Sequence, residues 1–287
     1  MPPAATEWTA KDARLLLRAP GPQDDKYTRG VVALATGSEA FPGAAVLGVE
    51  GAARAGVGMV RYIGPATPTA LVLARRPETV VGAGRADAWV VGSGIPNAAG
   101  RSHDDELRVR AALAGGVPAV VDAGALDLLD AVRGPVVITP HFQELERVLA
   151  VTAAPLALDE ISADPAAAAV RAADALGVAV LLKGATTRIA LPGGFAYAVR
   201  SGTPWLATAG TGDVLAGIIG ALLAAHARTA RHLDDVAMIA ATGAVVHGLA
   251  GRIAASDPDG LGAGAPITAL DVADAVPDAI EELIARR

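Results

Sequence analysis

Short, mostly apolar runs alternate along this chain with longer segments of helical periodicity, and each run stops at a glycine or a polar residue. The runs fall at residues 31–35, 57–63, 88–91, 117–121, 136–138 and 178–182. Helical patterns follow at residues 43–55, 104–114, 124–132, 142–149 and 165–176, the last stopped by Gly177. Strands alternating with helices argue parallel pairing, each helix crossing back over one face of the sheet. The expectation is an α/β fold, a mostly parallel central sheet with helices on both faces. Residues 188–191 and 195–199 flank Pro192-Gly193-Gly194, which marks a hairpin. A long helical pattern covers residues 235–255, and Thr268-Ala-Leu-Asp271 reads as a capping box for a last helix. Residues 1–29 are polar and proline-bearing, with one helical pattern at 10–17, and read as an arm. Residues 30–287 hold no repeat and no linker, so they read as one domain.

The chain lacks cysteine, which excludes disulfides, thiolate metal sites and cysteine nucleophiles. Net charge is −6 and no basic block occurs, so nucleic acid is not an expected partner. Hydrophobic residues reach 52%, yet no uninterrupted apolar run has the length of about 18 residues that a membrane span needs. The N-terminus has early acidic residues and no signal-peptide core. A soluble, cytoplasmic protein is therefore expected.

Polar residues gather where strands stop: Ser38, Gly92 to Gly94, Asp122, His141 and Lys183. Ligands of open α/β sheets bind outside the carboxyl ends of strands. Asp213 belongs with them. It is the single formal charge between Arg200 and Arg228, follows Gly210-Thr211-Gly212, and opens an apolar helical run. Glycines let backbone N–H groups converge, and a helix N-terminus adds about half a positive charge. This makes an anion site with a carboxylate on its rim, an arrangement suited to phosphoryl transfer. Alternatively Asp213 caps the helix. With an ordinary value near 4, its carboxyl is expected to be ionised at neutral pH.

No P-loop and no glycine fingerprint of a dinucleotide fold is present. Lys183 ends an apolar strand beside Gly184 and suits a phosphate, or else snorkels at the surface. It is one of only three lysines. His141 reads as a ligand contact or a loop histidine. Glu144 shares its helix face and reads as an orderer of a metal-bound water or as a solvated residue. Asp122 reads more readily as a helix cap than as a metal or substrate contact. His103, His226, His232 and His247 have no metal-ligand spacing and read as surface or packing residues.

The segments DKYTRGVVALATGSEAFPGAAVLGVEGAARAGVGMVR, DAWVVGSGI, VVDAGAL, ITPHFQEL, LLKGATTRI and ATAGTGDVLAGIIGALLA occur in this order between about residues 26 and 226. Together they resemble the ADP-dependent NAD(P)H-hydrate dehydratase family, a carbohydrate-kinase-related group of the ribokinase-like superfamily. The resemblance implies a three-layer α/β/α sandwich. It implies ADP-dependent dehydration of the S form of hydrated NADH or NADPH, with AMP and phosphate as products. It also implies roles for particular residues. Ala44 or Ala45, Gly94, His141 and Asp213 would contact the hydrated dinucleotide. Lys183, Gly184, Ala185, Thr186, Thr187 and Gly212 would contact the nucleotide. Asp213 would be the base, Gly210 to Gly212 the anion hole, and Glu144 would sit near Mg²⁺ through water. A homo-oligomer, tetrameric by resemblance, is expected, as is a separate epimerase, because about 29 residues precede the first strand. Two departures are Ile95-Pro96, where the family usually has Leu-Gly, and Phe142, where it commonly has Pro. The competing readings are a small-molecule kinase of the same superfamily, acting on a thiazole, pyrimidine or pyridoxal alcohol, and a catalytically silent nucleotide-binding regulator.

Overall fold

The computed structural model describes residues 6–194 and 196–285, so the first five residues, the last two, and Phe195 at the expected start of a hairpin strand lie outside the described residues. In chain order the first elements are β1 (Thr6–Glu7), α1 (Ala10–Arg14), β2 (Val31–Ala35), α2 (Gly43–Arg54), β3 (Met59–Tyr62), α3 (Ala66–Arg75) and β4 (Val80–Val81). Next come β5 (Ala88–Val91), α4 (His103–Leu113), β6 (Ala119–Val121), β7 (Val136–Ile138), α5 (Phe142–Leu149), α6 (Leu158–Ala163) and α7 (Pro165–Leu176). The chain continues with β8 (Ala179–Leu182), β9 (Thr187–Ala190), β10 (Ala196–Val199), α8 (Thr211–Ala225), α9 (Leu233–Ala254), α10 (Ala269–Asp274) and α11 (Val276–Ala285).

All these strands join one sheet in the order β1-β10-β9-β8-β7-β6-β5-β2-β3-β4. Pairing is parallel except where β9 runs against both β8 and β10. Alternate residues point to opposite faces, and both faces are covered. Val32, Leu34, Val90, Val120 and Leu181 face a core shared with α2, α8 and α9. Ala35, Val91, Val121, Ile138, Val180 and Leu182 face a second core with α4, α5 and α7. The result is a three-layer α/β/α sandwich. The residues of the expected arm enter this fabric: β1 pairs with β10, and Trp8 packs edge-on to Tyr197 at 4.7 Å.

The small residues of α2 and α8 have a packing purpose. A methyl group at Gly217 would lie 2.1 Å from the Gly48 carbonyl oxygen, and one at Gly51 2.4 Å from that of Val214. The two backbones therefore touch, and this contact fixes α8 against α2. The 22 residues of α9 are apolar and long enough to cross a membrane, but 83% of its most apolar stretch is buried in the fold, as in a core helix.

Two expectations need correction. The segment 124–132 is not an α-helix; it holds two short 3₁₀ turns, at Ala123–Ala125 and Leu129–Ala131. Ala123 takes a left-handed φ of 47°, and Gly124 lies so close beneath Ile95 that a methyl group there would sit 1.9 Å from its carbonyl oxygen. That contact pins the chain where a helix would start. The last helix is also divided: the Thr268 capping box opens α10, and α11 follows after Ala275.

Candidate active site

Because β2, β5, β6, β7 and β8 are parallel, their carboxyl ends lie on one edge of the sheet. The residues that follow them converge there. Asp122, just past β6, is 3% exposed and accepts from Ser93 Oγ at 2.9 Å and Thr139 Oγ1 at 2.8 Å. Lys183, just past β8, donates to Asp122 Oδ1 at 3.0 Å. Its Nζ also lies 3.6 Å from Glu144 Oε2. Asp122 makes no capping hydrogen bond to the turn that follows it. The expected cap is thus an anchor for a lysine. Nor does Lys183 snorkel. Burial pulls its pKa down, but Asp122 and Glu144 outweigh this and hold the ammonium above its ordinary value.

His141 is the N-cap of α5. Its Nδ1 accepts from Glu144 N–H at 3.2 Å, and its own N–H donates to Glu144 Oε2 at 2.8 Å. Glu144 is therefore no solvated side chain; it is 7% exposed and tied into the cap. The imidazole stays 47% exposed, facing open space.

Gly210 starts α8 with φ at 91°, a left-handed turn that favours glycine. The Gly212 N–H has no acceptor among the described residues. A methyl group at Gly212 would lie 3.5 Å from Lys183 Nζ, so the ammonium and the positive end of α8 sit side by side. Such a pair repels itself and attracts an anion. Asp213 stands in the first turn of α8, past the Gly210 N-cap, and its side chain makes no hydrogen bond with any described residue.

The expected ordinary pKa of Asp213 is overturned. Burial, then the Asp122 carboxylate, push it up to about 7, against the pull of Lys183. A carboxyl with that value exchanges its proton near neutrality, as a general base does.

The remaining expected contacts sit nearby. A methyl group at Gly94 would lie 2.4 Å from the Ala44 Cβ, so the turn after β5 rests on the start of α2. Ala45 is fully buried and points into the core, so only Ala44 of the pair keeps exposed surface. The segment Lys183, Gly184, Ala185, Thr186 and Thr187 forms the turn from β8 into β9. Phe142 packs its ring over Gly184, 3.4 Å from where a side chain would begin.

A cavity of about 770 Å³ opens from this cluster, bounded by His141, Lys183, Gly184, Ala185, Thr187 and Gly212 at one end. Its far end is formed by Ser201 to Thr203, Leu206, Leu215, Ala244 and His247. Sequence reasoning missed this far wall; its only signal was the absence of charge between Ser201 and Asp213. His247 is 8% exposed, and burial pushes its pKa down to about 4, so its imidazole is neutral.

A family model described as NAD(P)H-hydrate dehydratase matches residues 32–269. The bifunctional NAD(P)H-hydrate repair enzyme Nnr of Mycobacterium tuberculosis is 44% identical over 75% of this chain and 45% of its own. The chain spans about half the length of such bifunctional relatives. The ADP-dependent (S)-NAD(P)H-hydrate dehydratase of Neisseria meningitidis is 35% identical over 73% of this chain and 74% of its own. Among solved structures, the ADP/ATP-dependent NAD(P)H-hydrate dehydratase of Bacillus subtilis, co-crystallised with ATP and Mg²⁺, aligns over 98% of this chain and 99% of its own. Its TM-score is 0.81 and its identity 25%.

Proposed function

Because the chain belongs to the NAD(P)H-hydrate dehydratase family, we propose that it restores hydrated NADH or NADPH by ADP-dependent dehydration of the S form. The observation that carries this reading is the Asp213 carboxyl, set in the first turn of α8, coupled to Lys183, and raised by burial and Asp122 to about 7. The nicotinamide-ring hydroxyl loses its proton to Asp213. Its oxygen takes the terminal phosphoryl group of ADP, leaving AMP. The ring carbon–oxygen bond then breaks and expels phosphate, and loss of a proton from the neighbouring carbon restores the double bond. The Gly212 N–H and Lys183 offset charge on the moving phosphoryl group. Leu206, Leu215 and Ala244 give the far end of the cavity apolar wall and Ser201, Thr203 and His247 polar groups, a mixture that suits the adenosine of ADP. Ala44, Gly94 and His141 border the ring's side of the site.

Mg²⁺ uses one or two carboxylates with phosphates and water. Glu144 and Asp122 are present, but both already face Lys183. No group of three potential ligands occurs among the described residues. The residues fit an ion carried mainly by the nucleotide's phosphates, reached by Glu144 through water. Bound there, it would neutralise phosphate charge. An epimerase acting on the R form would supply usable substrate, in keeping with the bifunctional relatives.

The test is recovery of the reduced nicotinamide's near-ultraviolet absorbance from hydrated NADH, with ADP and with ATP. Recovery without a stable phosphorylated product is expected. A phosphorylated product that accumulates would favour a small-molecule kinase, and nucleotide binding without turnover a silent regulator.

A further inference from the structure

A second cavity, of about 720 Å³, lies on the other side of the β8–β9 edge. Thr187 and Arg188 are neighbours on β9, so they point to opposite faces of the sheet. Thr187 lines the first cavity and Arg188 the second. The two spaces meet at His141, Lys183, Gly184 and Ala185, which border both.

The second cavity is lined for an anion. Arg188 and Lys183 are its charged groups, and no carboxylate lines it. Arg188 Nε is shut off from solvent and has no hydrogen-bond partner. The Arg188 guanidinium forms no ion pair with any described residue. A half-buried guanidinium without a partner is costly in an empty protein and well matched to the two oxygens of a phosphate. Phe142 and Leu158 add apolar wall, and Gln143 and Ser162 add hydrogen-bonding groups. Aromatic surface, polar edge and guanidinium together suit a nucleotide.

We infer that this cavity holds the distal, adenosine half of the dinucleotide substrate, with Arg188 on one of its phosphates. The inference rests on the dehydratase reading. With ADP in the first cavity and the nicotinamide ring at Asp213, the rest of the dinucleotide must leave past His141. The space that continues there is the second cavity. The phosphate is either the pyrophosphate, common to both substrates, or the 2′-phosphate, found only in hydrated NADPH.

The experiment is steady-state turnover of hydrated NADH and hydrated NADPH by wild type, Arg188→Ala and Arg188→Lys, with ADP binding by calorimetry and melting temperature alongside. Arg188→Ala should raise the dinucleotide KM about tenfold or more, the worth of a charge-assisted contact. Its kcat and ADP affinity should hold, and Arg188→Lys should recover part of the loss. A greater loss for hydrated NADPH assigns the 2′-phosphate; an equal loss assigns the pyrophosphate; either supports the inference. A folded Arg188→Ala with unchanged KM for both dinucleotides overturns it, as does a loss confined to ADP. A wild-type protein without turnover would sink the dehydratase reading itself, which separates the two failures.

Discussion

Two carboxyl groups on adjoining helices, the fully buried Glu50 of α2 and the half-buried Asp213 of α8, have opposite surroundings and opposite fates. Glu50 is fully buried and receives hydrogen bonds from three guanidiniums: Arg54 at 3.0 Å, Arg75 at 2.7 Å and Arg76 at 2.6 Å. Burial pushes its pKa up, but the three arginines outweigh burial and hold it down at about 2. Arg54 reaches on to Asp274 at 2.5 Å, so this cluster ties α2 to the end of α3 and to α10. Asp213 has no such escort. One lysine and two carboxylates face it, the lysine already held by those carboxylates, and its pKa rises to about 7. A buried charge with surplus partners is a clamp. A half-buried charge short of partners is left free to titrate, and the folded state bears the cost of keeping it so.

The largest effect should come from removing this titrating group. Asp213→Asn keeps the size but cannot take the proton, so turnover should fall about 10²-fold or more. Its stability should move the other way. A raised carboxyl pKa contributes stability below its unfolded value of 3.8, and this is lost as pH rises through about 7. The Asn variant should therefore melt above wild type at alkaline pH, with the gap closing toward acid. A turnover near wild type would break the contrast.

Glu50→Gln should do the reverse. Turnover should survive, and stability at neutral pH should fall by about 2 kcal/mol. That is below the 3–5 kcal/mol seen when the orphaned partner stays buried, because these arginines reach solvent. The lowered pKa makes this stability present above 4.5 and lost as pH falls toward about 2, so the gap should vanish in acid. Urea unfolding of both proteins across pH is the measurement.

A finer test perturbs Asp213 through its neighbours. The acid limb of kcat/KM should lie near 7 in wild type. Lys183→Ala removes the cation that opposes the rise, so the limb should move to higher pH, with ADP binding about tenfold weaker. Asp122→Asn removes a repelling carboxylate, so the limb should move to lower pH. Limbs that shift together, or not at all, would deny Asp213 its place as the titrating base.

The central strands, the hairpin, the Gly210 turn, the cap at Thr268 and the gathering of polar residues at strand ends were legible because each depends on residues a few positions apart; the cap at His141 and the short strands β1 and β4 were not read. The 3₁₀ turns after Asp122 were not, because Gly124 is constrained by Ile95 from another loop. Asp122 itself was misjudged as a cap: its lysine partner is 61 residues away in the chain.

From sequence alone came a parallel sheet and the expectation of a ligand edge with a glycine anion hole and a carboxylate beside it, together with the resemblance that named a reaction. Tertiary structure alone decided that this carboxylate's pKa is raised, that Ala45 is buried while Ala44 keeps exposed surface, and that two cavities meet at the turn after β8. The division has a physical cause. Periodicity and turn chemistry are local, whereas desolvation, charge coupling and enclosed volume are sums over every neighbour that folding brings near, and no stretch of sequence contains that sum.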